Sequence, residues 1–233
     1  MKINLKHFLQ KYYPFILIGL VCIVLLRTFL KPGVPDTHDG NNHIARLANF
    51  YLAIKDVQIP PRWAPNLNYK YGYPVFNYNY YFSYFFGLIF YLLGASLETA
   101  YKLTVFISLF ACGAFLYLFL KRYVSRVAAF VASTIFISSP PMLLQIFVRG
   151  NLGEIIGWPI FILNLWVMSM LLDVSERKEK AFQKTTLQVC LSACLLFLVL
   201  SHNIVFLLGF PVLVLYGLVE AVRVKKIRAF LVN

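Results

Sequence analysis

Seven apolar runs, at 14–30, 78–94, 100–120, 127–147, 155–172, 186–200 and 204–222, leave this chain few folds to choose from. Most approach the roughly 20 residues with which an α-helix crosses a bilayer. A bilayer core offers no partner to an open backbone, so such runs fold as helices. The expected class is all-α, a polytopic helical membrane protein. Composition agrees, with 60% of residues hydrophobic and 13% charged, against roughly 25% charged in an average soluble domain. The net charge of +13 has no basic soluble domain to carry it, so no nucleic acid is expected as a partner, and loops facing anionic membrane lipid account for the excess. Cys22, Cys112, Cys190 and Cys194 all fall inside apolar runs and read as small core residues rather than a disulfide framework or zinc site.

Charge decides how many runs cross. Lys2, Lys6 and Lys11 precede the first run, and Lys31-Pro32-Gly33-Val34-Pro35 after it lacks a small-x-small cleavage pattern, so the first run reads as an uncleaved anchor with its N-terminus inside. If all six later runs crossed, the basic loops at 121–126, 173–184 and 223–228 would place eleven Lys or Arg residues outside, against the positive-inside rule. If 78–94 does not cross, all three loops become cytoplasmic. That run is also rich in rings suited to headgroup depth, with ten Phe or Tyr among residues 76–91. Six spans are expected, with both termini inside. The anchor is placed at 1–30, an external loop with interfacial helices at 31–99, five further spans at 100–222 and a cytoplasmic tail at 223–233. Asp36, Asp39, Arg149, Glu154 and His202 then share the outer compartment.

The stretch at 35–46 holds Asp36 and Asp39 of nine carboxylates and His38 and His43 of four histidines. Asp39, His43 and Arg46 stand at i, i+4 and i+7, one face of a helix. Ile44, Leu47, Ala48, Tyr51 and Leu52 form an apolar stripe suited to a membrane surface. A carboxylate, an imidazole and a guanidinium on one face suit a base, a proton partner or metal ligand, and a phosphate clamp. The same spacing equally fits an Asp N-cap before a solvated polar face. Beyond it, Arg62 and Lys70 sit in a proline- and tyrosine-rich loop where they can reach a lipid-linked phosphate, while most of the aromatics there suit headgroup anchoring.

Pro140-Pro141 should kink or end the helix over 127–147. The following Arg149-Gly150-Asn151-Leu152-Gly153-Glu154 offers an anion clamp and a second acid, and Asn151-x-x-Glu154 is also close to a capping box. Ser201-His202-Asn203 breaks two short runs and calls for a polar cavity. Asn164 and Gln145 read as interhelical hydrogen-bonding residues. No P-loop, dinucleotide fingerprint, Gly-x-Ser-x-Gly elbow or Cys-x-x-Cys is present, which leaves nucleotide hydrolysis, hydride transfer and serine-hydrolase chemistry without support.

The order of parts resembles the GT-C superfamily of integral membrane glycosyltransferases. Asp39-Gly40 is similar to the acidic motif opening the first external loop of oligosaccharyltransferases. His38-Asp39-Gly40 with His43 and Arg46, Ile59-Pro60-Pro61-Arg62-Trp63-Ala64-Pro65, Tyr71-Gly72-Tyr73-Pro74, Arg149-Gly150 with Gly153-Glu154, and Ser201-His202-Asn203 resemble large bacterial membrane proteins labelled "6-pyruvoyl-tetrahydropterin synthase related". That label does not imply pterin chemistry here, because the chain shows no soluble synthase domain and no zinc-binding histidine trio.

The resemblance implies a GT-C-like N-terminal module, part of a longer or split protein, in the bacterial cytoplasmic membrane with its catalytic loops outside. It would transfer a sugar from a polyprenyl-phosphate-linked donor to a glycan, lipid or protein acceptor. Asp39 would be the first-loop acid and Glu154 the second, with Asp36 nearby. Arg149, Arg46, Arg62 and Lys70 would bind the donor phosphate, with His38, His43 and His202 in support. A divalent cation is a possible cofactor, with Asp39 and His43 as its candidate ligands. The competing class is a non-catalytic lipid-linked glycan transporter or flippase, or a scaffold subunit.

Overall fold

The computed structural model describes residues 5–78, 80–174 and 181–223, with side chains from Tyr12 onward. Lys2, the side chains of Lys6 and Lys11, and segments 175–180 and 224–233, all used in the charge count, lie outside the described residues. The described chain is helical, apart from an isolated antiparallel bridge between Ala64 and Tyr73. It is an all-α polytopic membrane protein. Five helices are long and apolar enough to cross a bilayer, and Tyr12–Leu25 and Phe82–Leu92 are shorter apolar helical stretches.

The first run is not one helix. Helix α1 covers Leu5–Leu25 and a 3-10 turn, Arg27–Leu30, follows it, tightening the chain end ahead of Pro32-Gly33. After the loop come α2 (Gly40–Lys55), a short α3 (Val75–Tyr78) and α4 (Phe82–Leu92). At 11 residues, α4 is about 16 Å long, too short for a core of roughly 30 Å. Next is α5 (Leu97–Leu120), then α6 (Arg126–Ile137). As expected, Pro140-Pro141 ends α6 and starts α7 (Pro140–Leu144), which runs into a π-helical turn, Gln145–Arg149. Helices α8 (Leu152–Val174), α9 (Ala181–Ser201) and α10 (Asn203–Arg223) complete the bundle.

The centre is the pair α5 and α8, with α1 and α6 on one flank and α9 and α10 on the other. In the apolar window of α8, 61% is buried, against 17% in α9 and 22% in α10; the last two therefore leave most of their apolar surface to lipid. The main core joins Ile18 and Cys22 of α1, Val105, Leu109 and Cys112 of α5, and Ile155 and Ile162 of α8. Helix α1 approaches α5 through Gly113, where a Cβ would lie 2.7 Å from the Ile18 methyl group; a small residue permits this spacing. Cys190 is exposed, unlike the other three cysteines, which are buried as expected, and all four are free.

A second core lies at the loop end of the bundle. Of the stripe expected to lie on the membrane, Ile44, Ala48, Tyr51 and Leu52 are half-buried, whereas Leu47, together with Phe50 and Ala53 of α2, is buried against Val75, Phe76, Tyr84 and Leu88. The aromatic faces of α3 and α4 cause the difference. Phe50 alone stacks edge-on to Phe76 and Phe85, and such pairs contribute about 0.5–1.5 kcal/mol each beyond their buried area.

Candidate functional site

Two loops are stitched together by backbone at this end. The His38 and Asp39 N–H groups donate to the Val148 and Arg149 carbonyls at 3.0 and 2.8 Å. Gly150, in the left-handed region at φ 65°, sits so close that a Cβ there would lie 3.0 Å from the Gly40 nitrogen, and the Tyr101 hydroxyl donates to the Gly150 carbonyl at 3.1 Å. Thr37 Oγ1 accepts from the Gly40 N–H at 3.1 Å. Asp39 holds the N-cap position of α2 but makes no side-chain cap bond. Thr37 supplies that cap, and the Asp39 carboxylate stays half-buried and free of it.

Glu154 stands in the first turn of α8. Asn151 Oδ1 accepts from the Gly153 and Glu154 N–H groups at 3.1 and 3.2 Å, so Asn151 is the cap. The Glu154 side chain does not close a reciprocal box. It takes a two-pronged contact from Arg149, with Nη1 to Oε2 at 2.9 Å and Nη2 to Oε1 at 2.7 Å. Gln145 also hydrogen-bonds this carboxylate. His202 Nε2 lies 3.4 Å from Oε1. Glu154 is 7% exposed and Arg149 40%, so the pair has a buried anion and a cation that still reaches solvent. A fork–carboxylate contact of this kind is among the stronger polar interactions.

The two buried histidine rings are held by different partners. The Val205 N–H donates to His202 Nδ1 at 3.4 Å, which puts the proton on Nε2, facing Glu154. The Tyr84 hydroxyl and His43 Nδ1 share a hydrogen bond of 3.0 Å, and Arg46 lies close to the same hydroxyl. His43 Nε2 is buried without a partner among the described residues. Burial, then the charge of Arg46 and the neighbouring His202, pushes His43 down to about 3. Burial, then Arg149, pushes His202 down to about 4. Both rings are neutral at pH 7.

Asp39, His43, Arg46, Arg149, Glu154 and His202 thus converge, and Asp39 lies near enough to Glu154 and Tyr84 to interact with both electrostatically. His43 sits on the buried face of α2, packed on Tyr84, rather than on a solvated polar face. Asp36 and His38 are exposed on the approaching loop. Arg62 and Lys70 are exposed on the proline-rich loop, and among the described residues neither makes a hydrogen bond or ion pair with this group. Asn164 donates to Ile160 of its own helix rather than across helices. Tyr80 was hidden in the aromatic run; its ring lies 4.2 Å from that of His202 and its hydroxyl pairs with Asn151. Tyrosines at 80 and 84, one helical turn apart, were the available signal that some of those rings face inward.

Among the described residues no three of His, Cys, Asp and Glu are grouped to hold a metal ion; the candidate ligands Asp39 and His43 stand as a pair, with Tyr84 on His43 Nδ1.

From Arg149 and Glu154 a groove of about 520 Å³ descends between α8 and α10, walled by Trp158, Phe161, Leu208 and Val212. Both helices start at the polar end, so the walls become apolar with depth over roughly two turns. No family model, curated protein or solved structure matches the chain.

Proposed function

We propose that this is a membrane glycosyltransferase of GT-C type that takes its sugar from a polyprenyl-phosphate-linked donor at the outer face of the membrane. The observation that carries the reading is the shape and polarity of the α8–α10 groove. Its mouth holds a half-exposed guanidinium fixed by a buried carboxylate, and its walls are apolar. An amphiphile with an anionic head and a long hydrocarbon chain is complementary to both parts.

The acceptor hydroxyl attacks the anomeric carbon of the sugar, the bond from that carbon to the phosphate oxygen breaks, and the hydroxyl proton passes to Asp39. Asp39 suits the base because no helix cap consumes its carboxylate. Arg149 receives the charge that develops on the departing lipid phosphate. Its two bonds to Glu154 use only part of the guanidinium's five N–H groups. Glu154 is therefore a positioning residue, since both of its oxygens are engaged by the Arg149 guanidinium. Arg46, close to Tyr84 and His43, adds positive potential on the Asp39 side.

Asp39→Asn keeps size and polarity and removes the base. It should lower transfer by about 10²–10⁴-fold while insertion and folding are unchanged. The measurement is the lipid-linked sugar profile of cells carrying wild type, Asp39→Asn or no gene. Unused donor collecting outside supports transfer, whereas donor trapped inside identifies a flippase and refutes it.

A further inference from the structure

A second cleft, of about 460 Å³, opens between α1 with its 3-10 extension and the first turns of α5. It shares no lining residue with the groove at Glu154. Leu26, Phe29, Leu103 and Phe106 form apolar walls, and Thr99 and Lys102 stand among them as the polar groups. Lys102 is out of place by ordinary rules. Within the candidate span Leu97–Leu120, Glu98 and Lys102 are the sole charged residues.

Geometry sets its depth. Helix α5 has 24 residues, about 36 Å of rise against a hydrocarbon core of roughly 30 Å. Centred in that core, it places the Lys102 backbone on the order of 4 Å below the boundary, within reach of the headgroups for a four-carbon stem. The ammonium spans the cleft mouth and donates to the Lys31 carbonyl at 2.7 Å. An ammonium has three donors, so two remain. A cation at that depth is costly without an anionic partner, and the carbonyl supplies none.

We propose that this cleft is a binding site for one anionic membrane phospholipid, its phosphate on Lys102 and Thr99 and an acyl chain along Leu26, Phe29 and Phe106. Charge complementarity selects this occupant. Lys102 stands in the mouth, and Arg27 and Lys31 bracket the lining residues Phe29 and Leu30 in sequence, against Glu98 one turn earlier than Lys102 on α5. No carboxylate lines the cleft to act on a sugar, so it is a lipid seat, independent of the transfer site.

The test uses the full chain in non-ionic detergent, titrated with phosphatidylglycerol or phosphatidylcholine of matched chains and read by native mass spectrometry. Wild type should bind its first phosphatidylglycerol at least tenfold more tightly than phosphatidylcholine. Lys102→Gln should bring the two within twofold, Lys102→Arg should restore the preference, and Phe106→Trp should weaken both by filling the cleft. Equal binding of the two lipids by wild type, or a preference surviving in Lys102→Gln, overturns the assignment. So does one-for-one displacement of the first phosphatidylglycerol by a polyprenyl phosphate, which would give the cleft to the carrier instead.

Discussion

At one end of the bundle Glu154, His202 and His43 are buried and tied to named partners; at the other, two ion pairs each keep one partner more than half exposed. Arg122 meets Asp173 with side chains 25% and 54% exposed, and Arg223 meets Glu220 with 62% and 12%. Around them Tyr123 and Tyr216 share a hydrogen bond of 2.6 Å and Arg223 lies over the Tyr123 ring. Exposed pairs of this kind contribute about 0–1 kcal/mol, and their use is to hold basic side chains at a water boundary. The loop end holds desolvated charge, which is expensive to keep and therefore points to a use other than stability. Both ends are polar, but only one buries its acid and both of its neutral imidazoles.

The largest effect that sharpens this contrast is expected at Glu154. Glu154→Leu leaves Arg149 without its partner and should cost roughly 2–3 kcal/mol, below the full range for a broken buried pair because Arg149 is half exposed, and should abolish transfer. Thermal unfolding in detergent and the sugar-transfer assay read the two effects. If stability falls and transfer persists, the loop end is a structural staple like the other.

Gly150→Ala comes next. The left-handed backbone and the contact with the Gly40 nitrogen and Thr37 should cost about 2 kcal/mol, pushing apart the loops that carry Asp39 and Arg149. Unchanged unfolding would show that the stitch is slack.

Acidity should act on the loop end alone. His43 titrates near the ordinary imidazole value of about 6.5 when unfolded and at about 3 when folded. The unfolded chain therefore takes up the proton first, and the stability His43 contributes is complete above about 6.5 and is lost as pH falls toward 3. Unfolding temperature should drop between pH 7 and 5 in wild type, with a shallower slope in His43→Gln. Identical slopes would remove His43 from the buried set.

Arg122→Ala should be smallest, within about 1 kcal/mol and with transfer intact. A larger loss would make the two ends alike.

The convergence of Asp39, Glu154 and His202 at one end was legible before any coordinates, because loop charge fixes the parity of the spans and parity alone decides which loops meet. The early stop of α6 was legible for a similar reason, as two prolines leave no alternative. What escaped was which neighbour each face would find. Spacing put His43 on a face with Asp39 and Arg46, yet only the packing of α4 shows that this histidine is buried. The exposed positions of Arg62 and Lys70 follow from how the proline-rich loop folds back on itself through the Ala64–Tyr73 bridge, which composition does not encode. Thr37 displaced Asp39 as the cap by two residues, and a shift that small is beyond pattern reading.

The π-helical turn at Gln145–Arg149 has one further consequence. It holds one residue more than an α-helical path of the same rise, and one residue is about 100° of rotation at 3.6 per turn. Excising a single position there would restore ordinary winding and swing the fork of Arg149 to another compass bearing, away from its carboxylate. In this stretch of the chain, length itself is part of the recognition chemistry, and an indel should be harsher than most exchanges of side chain.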